Sequence, residues 1–181
     1  MADFGRESGP DKLLSQYSYL FSTDLKGYSI LDLACGDGHN GIFLASKGFS
    51  VVLADRSEEA LSQAMLKAQA AGVTVQFRQV NLEQEGINPL DGLTFSAVLV
   101  FRYLHRPLLP YIRKSLQQGG ILMYETFTTE QARFGRPKNP DHLLNPGELL
   151  SWFNDWEVIH TFEGIVGAPP KAIAQLVCRK S

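Results

Sequence analysis

Ile30-Leu31-Asp32-Leu33-Ala34-Cys35-Gly36-Asp37-Gly38-His39-Asn40-Gly41, resumed after a short interval by Val51-Val52-Leu53-Ala54-Asp55, is the stretch that decides the fold. An apolar run breaks into a glycine-rich turn, and a second apolar run ends in a carboxylate. This pattern predicts a β-α-β unit holding a nucleoside-bearing cofactor. Glycines without a Cβ let the backbone turn tightly and approach a ligand, and the second strand delivers an acid to ribose hydroxyls.

Two ligands compete for such a unit. Gly36, Gly38 and Gly41 satisfy the G-x-G-x-x-G spacing of a dinucleotide site, with Asp55 downstream. Asp32, inside the first strand, adds the tighter spacing Asp32-x-Ala34-x-Gly36-x-Gly38. A pyrophosphate wants bare amides at a helix N-terminus, whereas carboxylates at Asp32 and Asp37 suit a cationic ligand better. Asp32 has a second available role, bracing the turn by accepting hydrogen bonds from its amides.

The tighter spacing resembles the first motif of the class I S-adenosylmethionine-dependent methyltransferases, acid-x-(Gly/Ala)-x-Gly-x-Gly. The resemblance implies S-adenosyl-L-methionine as cofactor, with Asp32, Ala34, Cys35, Gly36, Asp37, Gly38 and Asn40 around its methionine end. Asp55 then takes the ribose hydroxyls, and Arg56 lies on the adenine face where the family more often has an apolar residue. Asn81-Leu82, where the family more often has Asp first, reads the adenine edge through the Asn81 amide oxygen and the Leu82 amide. Phe101 or Arg102 closes the pocket near the sulfonium.

The chain has 181 residues, 44% of them hydrophobic, which suits one compact α/β domain. The expected division is a cap-helix region at 1–27 and a single domain at 28–181, with a lid-like insertion at about 126–146. A dehydrogenase usually carries a second catalytic region, and none is visible. With 17 basic and 19 acidic residues and a formal charge of −2, no nucleic-acid partner is expected. The polar start and strand-sized apolar runs predict no membrane partner and a cytoplasmic location. Cys35 and Cys178 lack redox or zinc spacing and read as small buried fillers; with four scattered histidines, no metal is expected.

Leu13, Tyr17, Leu20 and Phe21 fall at helical spacing after Pro10 and predict a leading helix. Such a helix is similar to the cap that many small-molecule methyltransferases lay over their substrate, which places Tyr17 near it. Helices are expected at His39–Lys47, from Ser57 to Gly72 with the stripe Ala60, Leu61, Ala64, Met65 and Ala68, and along Leu104, Leu108, Ile112 and Leu116 up to Gly119-Gly120. A further helix is expected near 146–154. Strands are expected at 30–33, 50–55, 73–80, 95–101, 121–125, 157–162 and 172–179. The alternation implies a doubly wound sheet. The short link at 163–171 suits an antiparallel hairpin. The expected fold is therefore α/β, a Rossmann-like seven-stranded sheet, mostly parallel with the last strand antiparallel, as in the family.

The resemblance implies transfer of a methyl group to a small-molecule acceptor by in-line displacement. Tyr103 and His105, in the block after the fourth strand, are the candidate proton carriers for catalysis. The Asn/Asp-Pro-Pro-Tyr signature of planar-amine methylation is absent. Glu125 at the tip of strand five, with Phe134, Arg136 and His142 in the long segment that follows, joins Tyr17 and Tyr103 as candidate substrate-binding residues. Arg133, Arg136, Lys138 and His142 together suggest an anionic acceptor. This block is similar to compact tellurite-resistance and thiol-type methyltransferases. The alternatives are a non-catalytic regulatory module that binds S-adenosylmethionine and an NAD-dependent oxidoreductase.

Overall fold

A computed structural model describes residues 9–21 and 27–181; positions 1–8 and 22–26 of the expected cap region lie outside the described residues. Helix α1 (Lys12–Tyr17) leads into β1 (Ile30–Leu33), α2 (His39–Ser46), β2 (Val51–Asp55), α3 (Glu58–Ala70), β3 (Gln76–Gln79) and β4 (Phe95–Phe101). There follow α4 (Leu109–Ser115), β5 (Leu116–Phe127), α5 (Glu148–Ser151), β6 (Glu157–Val166) and β7 (Lys171–Arg179). The sheet order is β3-β2-β1-β4-β5-β7-β6. The strands β1 to β5 are parallel, and β7 is antiparallel to both β5 and β6. The expected seven-stranded mixed sheet is thus present, and the short 167–170 link is what forces β7 to reverse.

Every residue of β4 is buried, as a central strand covered on both faces requires. Alternation sends Leu31, Leu33, Val98, Val100 and Leu122 to one core and Leu53, Ala97, Leu99, Ile121 and Met123 to the other. Ser57 caps α3, its hydroxyl accepting the Ala60 amide at 3.1 Å, with Glu58 and Glu59 favourably placed in the first turn. Leu61, Ala64 and Ala68 are buried, but Met65 is 46% exposed and does not belong to the apolar stripe.

Other boundaries differ from expectation for local reasons. The long helix expected up to Gly119-Gly120 is a 3-10 turn at 106–108 and the short α4, because Pro107 and Pro110 lack amide donors and admit only a helix start. Leu116 already belongs to β5, and the two glycines sit where the β4–β5 register shifts between Phe95 and Ala97. A Cβ on Gly120 would lie 2.9 Å from the carbonyl oxygens of Gln117 and Ser96, so the bulge needs glycine there. Edge strand β3 is confined to Gln76–Gln79, and α5 is a single turn.

Segment 128–147 is tied down at several points. The buried Gln131 side chain accepts the Ala172 amide at 2.8 Å and donates to the Arg136 carbonyl at 3.2 Å. The Arg106 guanidinium donates to both Glu148 carboxylate oxygens (2.6 and 2.8 Å) and to the carbonyls of Asp141 and Leu143 (3.1 and 2.9 Å). Arg106→Ala is expected to cost about 1.5–3 kcal/mol, the range for charge-assisted hydrogen bonds. The loss will appear as faster amide exchange across 128–147 and a lower melting temperature. No helix among the described residues is long and apolar enough to cross a membrane.

Candidate active site

A crevice of about 1400 Å³ opens beyond the carboxyl ends of the central strands. That is where an open α/β sheet reverses strand order and receives ligands. Ala34 and Arg102, at the ends of β1 and β4, both line it. They are the two non-glycine residues with left-handed φ among those described, at 55° and 56°. Such backbone costs energy and persists where the surroundings demand it, commonly at sites.

The glycine turn is held by side chains from two strands. Asp55 accepts the Gly36 amide at 2.8 Å through one oxygen and the Ser57 amide at 2.9 Å through the other. Asp32 accepts the Gly41 amide at 2.9 Å, and the Cys35 carbonyl accepts the Gly38 amide at 3.0 Å. Three amides of the turn are therefore consumed by the protein's own acceptors. Asp32 is 3% exposed and braces the start of α2 from behind rather than lining the crevice. Burial raises its carboxyl to about 7, against the pull of the Gly41 amide.

An alternating chain of charges borders one side of the turn. Lys67 pairs with Asp37 at 2.6 Å, Asp37 with His39 Nδ1 at 2.9 Å, and His39 Nε2 with Asp11 at 3.0 Å. Asp11 also pairs with Arg102 and accepts Asn40 Nδ2 at 2.9 Å, while its own amide donates to Asn40 Oδ1 at 2.9 Å. This docks the start of α1 on α2. With carboxylates at both ring nitrogens, His39 satisfies both contacts only as the imidazolium. Burial alone would depress its pKa; hydrogen bonds to Asp11 and Asp37 outweigh that and raise it to about 9.

The sign of the resulting pH dependence follows from linkage. His39 contributes stability in full below its ordinary value of 6.5, and that contribution fades as pH rises through about 9. A rise of this size corresponds to on the order of 3 kcal/mol. Thermal melts of His39→Gln and the unaltered protein should differ most at pH 6 and converge above about pH 10 (roughly one pH unit past that midpoint). A constant gap across that window would contradict the imidazolium.

The structure gathers most of the expected cofactor residues. Ala34, Asp37, Asp55 and Arg56 line one end, with Asn81, Leu82 and Arg102 beside them. The Asn81 amide oxygen, expected to meet adenine, accepts the Glu83 amide at 3.0 Å. Cys35, Gly36, Gly38 and Asn40, in and beside the turn, and Phe101, the last residue of β4, do not line the crevice.

The acceptor-side residues divide. Tyr103, Glu125, Arg136 and His142 line the crevice. Tyr17 does not; its ring lies 5.1 Å from that of His160. Phe134 is 36% exposed and also outside, as is Arg133, which faces Glu130. His105 is not among the residues lining the crevice; it lies in an adjoining depression of about 300 Å³ with Arg106, Pro107 and Asp141, which shares Glu83, Leu104 and His142 with the crevice. Nor does its side chain cap the following helix. Tyr103 donates its hydroxyl to Glu83 at 3.4 Å. Burial, then the charge of Glu83, pushes the phenol pKa up, so Tyr103 stays protonated and serves as a donor, not as a base.

Sequence reasoning missed Asp11, His39 and Glu83 at one end and Phe127, Lys171, Ile173 and Gln175 at the other. Only the last three left a local signal, the period-two spacing of one strand face.

Comparison with known proteins agrees with this geometry. Residues 30–120 match the family described as methyltransferase domain. A Geobacillus sp. (strain WCH70) protein described as a methyltransferase is 32% identical over 164 residues, covering 82% of this chain and 62% of its own. The tRNA 5-carboxymethoxyuridine methyltransferase of Escherichia coli (strain K12) is 23% identical over 156 residues, covering 72% and 60%. The chain thus spans about three fifths of the length of these curated relatives. The crystal structure of TehB from Haemophilus influenzae superposes with a TM-score of 0.72 at 15% identity, covering 94% of this chain and 66% of that one. A matched family over half of the chain, on a sheet of the expected strand order and around the acid-led glycine turn, means that this chain belongs to the methyltransferase-domain family of the class I, S-adenosylmethionine-dependent type.

Proposed function

We propose that the crevice binds S-adenosyl-L-methionine and that the protein transfers its methyl group to a small-molecule acceptor. The observation that carries this reading is the state of the glycine turn. Its Gly36, Gly38 and Gly41 amides already serve Asp55, the Cys35 carbonyl and Asp32, and are not offered to a pyrophosphate, while carboxylates of Asp11, Asp37, Asp55 and Glu83 line the same end. That acceptor set fits a ligand with ribose hydroxyls, an ammonium and a sulfonium, and it disfavours the nicotinamide alternative.

When bound, the cofactor supplies an electrophilic methyl on sulfur. Asp55 holds the ribose hydroxyls with the lone pairs its two amide contacts leave over. Arg56, exposed beside Glu83, covers the adenine face, and Asn81 Nδ2 with the Leu82 backbone meets its edge. The charge chain from Lys67 to Arg102 keeps each cation next to a carboxylate, so Arg102 does not repel the sulfonium. Tyr103 and Glu125 then border the acceptor. A volume of about 1400 Å³ exceeds what one ligand of this size fills, leaving space for a second molecule. Free, buried Cys35 and Cys178 support a reducing, cytoplasmic setting.

The test is incubation of the protein with methyl-labelled donor and, separately, a low-molecular-weight extract, total RNA and total protein. Label should enter the small-molecule fraction. Label in RNA instead would overturn the acceptor class and align the protein with its tRNA-modifying relative. Binding of S-adenosylhomocysteine without transfer to any fraction would favour a regulatory module.

A further inference from the structure

The half of the crevice away from the glycine turn has its own order. In the antiparallel pair β5–β7, Glu125 lies opposite Gln175 and Phe127 opposite Ile173, and Lys171 follows two residues farther out. These side chains share one face by strand alternation, and all five line the crevice. Moving outward from Arg102, the floor is therefore polar, then apolar, then cationic. Glu125 accepts Gln175 Nε2 at 2.7 Å, and Gln175 Oε1 meets His160 Nε2 at 3.1 Å, which fixes the polar rung. Pro137 from segment 128–147, Val166 at the end of β6 opposite Lys171, and Pro169 from the β6–β7 turn also line the crevice.

The charges at the two ends are treated differently. Near the glycine turn Arg102, His39 and Arg56 each face a carboxylate within 4.0 Å. Arg136 and Lys171, at the outer end, take part in no such ion pair among the described residues, and both line the crevice. The inner acid Glu125 is held by burial above its ordinary range, with Lys171 acting on it only at longer reach.

We propose that this chamber binds a small organic anion end-on: its protic, methyl-accepting group toward Glu125 and Gln175, an apolar body over Phe127 and Ile173, and its anionic group between Arg136 and Lys171. The inference deepens the methyl-transfer reading and rests on it. The four-residue step from Gln175 to Lys171 covers roughly 13 Å of strand, which sets the scale of the ligand at one ring plus a short arm.

4-Hydroxyphenylacetate is a probe with this layout, 4-hydroxyphenylacetamide lacks only its charge, and acetate lacks its body. Each is titrated by calorimetry with and without S-adenosylhomocysteine. The acid should bind at least tenfold more tightly than the amide, and acetate should fail to compete at the same concentration. Arg136→Gln combined with Lys171→Gln should erase the preference for acid over amide and leave adenosylhomocysteine affinity unchanged. Equal binding of acid and amide, a preference that survives the double change, or no binding of the acid to the adenosylhomocysteine complex would each overturn the proposal. Failure to bind adenosylhomocysteine at all is a separate result, and it would overturn the cofactor reading itself.

Discussion

Asp55→Ala should weaken S-adenosylhomocysteine binding about ten- to a hundredfold by calorimetry, the range of 1.5–3 kcal/mol for a hydrogen bond to a charged group. Two losses combine. The ribose hydroxyls lose their acceptor, and the Gly36 and Ser57 amides, held at 2.8 and 2.9 Å, lose theirs. Asp55→Asn separates the two, because the amide oxygen keeps one acceptor while its NH₂ opposes a backbone N–H. An intermediate loss is expected for Asn. Unchanged affinity for the Ala variant would remove the ribose assignment.

Gly41→Ala should be the most damaging small substitution in the motif. A Cβ there would lie 2.3 Å from Leu53 Cδ2, 3.0 Å from Val51 Cγ1 and 3.1 Å from Asp32 Oδ2. None of these is a loose end. Leu53 and Val51 are core residues of β2, and Asp32 is buried and fastened to the Gly41 amide. Relief requires α2 to lift from the sheet, which costs about 3 kcal/mol, the upper part of the overpacking range. For a chain of this length the melting temperature should fall by roughly 6–12 °C. A shift below about 2 °C would show that α2 is free to move. The same observation explains why a dinucleotide-like glycine spacing occurs here: Gly41 serves helix-to-sheet packing, a demand that the two ligand classes share.

Much of the fold was legible because it rests on local chemistry. The acid-led turn, the unbroken apolar run Phe95–Phe101 and the short 163–171 link suffice for the β-α-β unit, a strand buried on both faces and the reversed β7, whereas the strand order was implied only by the family resemblance. Helix ends were less legible. Leu116 continues the spacing of Leu104, Leu108 and Ile112, yet it starts a strand, because a buried leucine satisfies either period and the bulge at Gly120 depends on the Ser96 carbonyl of the neighbouring strand. In the site, Asp55 could be placed because it ends β2 at the crevice, and Glu125, expected at the tip of strand five, lines the crevice two residues before the end of β5. His105 could not, since whether it turns toward the crevice or toward Asp141 depends on a segment more than thirty residues away.

By itself, then, the sequence determined the β-α-β unit, the seven-stranded mixed sheet and the glycine-turn end of the crevice, because those depend on residue types at short spacing. Tertiary structure alone decided three things: that Asp32 faces inward to α2, that His39 is clamped as a cation between Asp11 and Asp37, and that Lys171, Ile173 and Gln175 complete the acceptor chamber. The reason is distance along the chain. Asp11 and His39 are 28 residues apart and Glu125 and Gln175 are 50 apart, so their meeting follows from which strands pair, which no local pattern encodes.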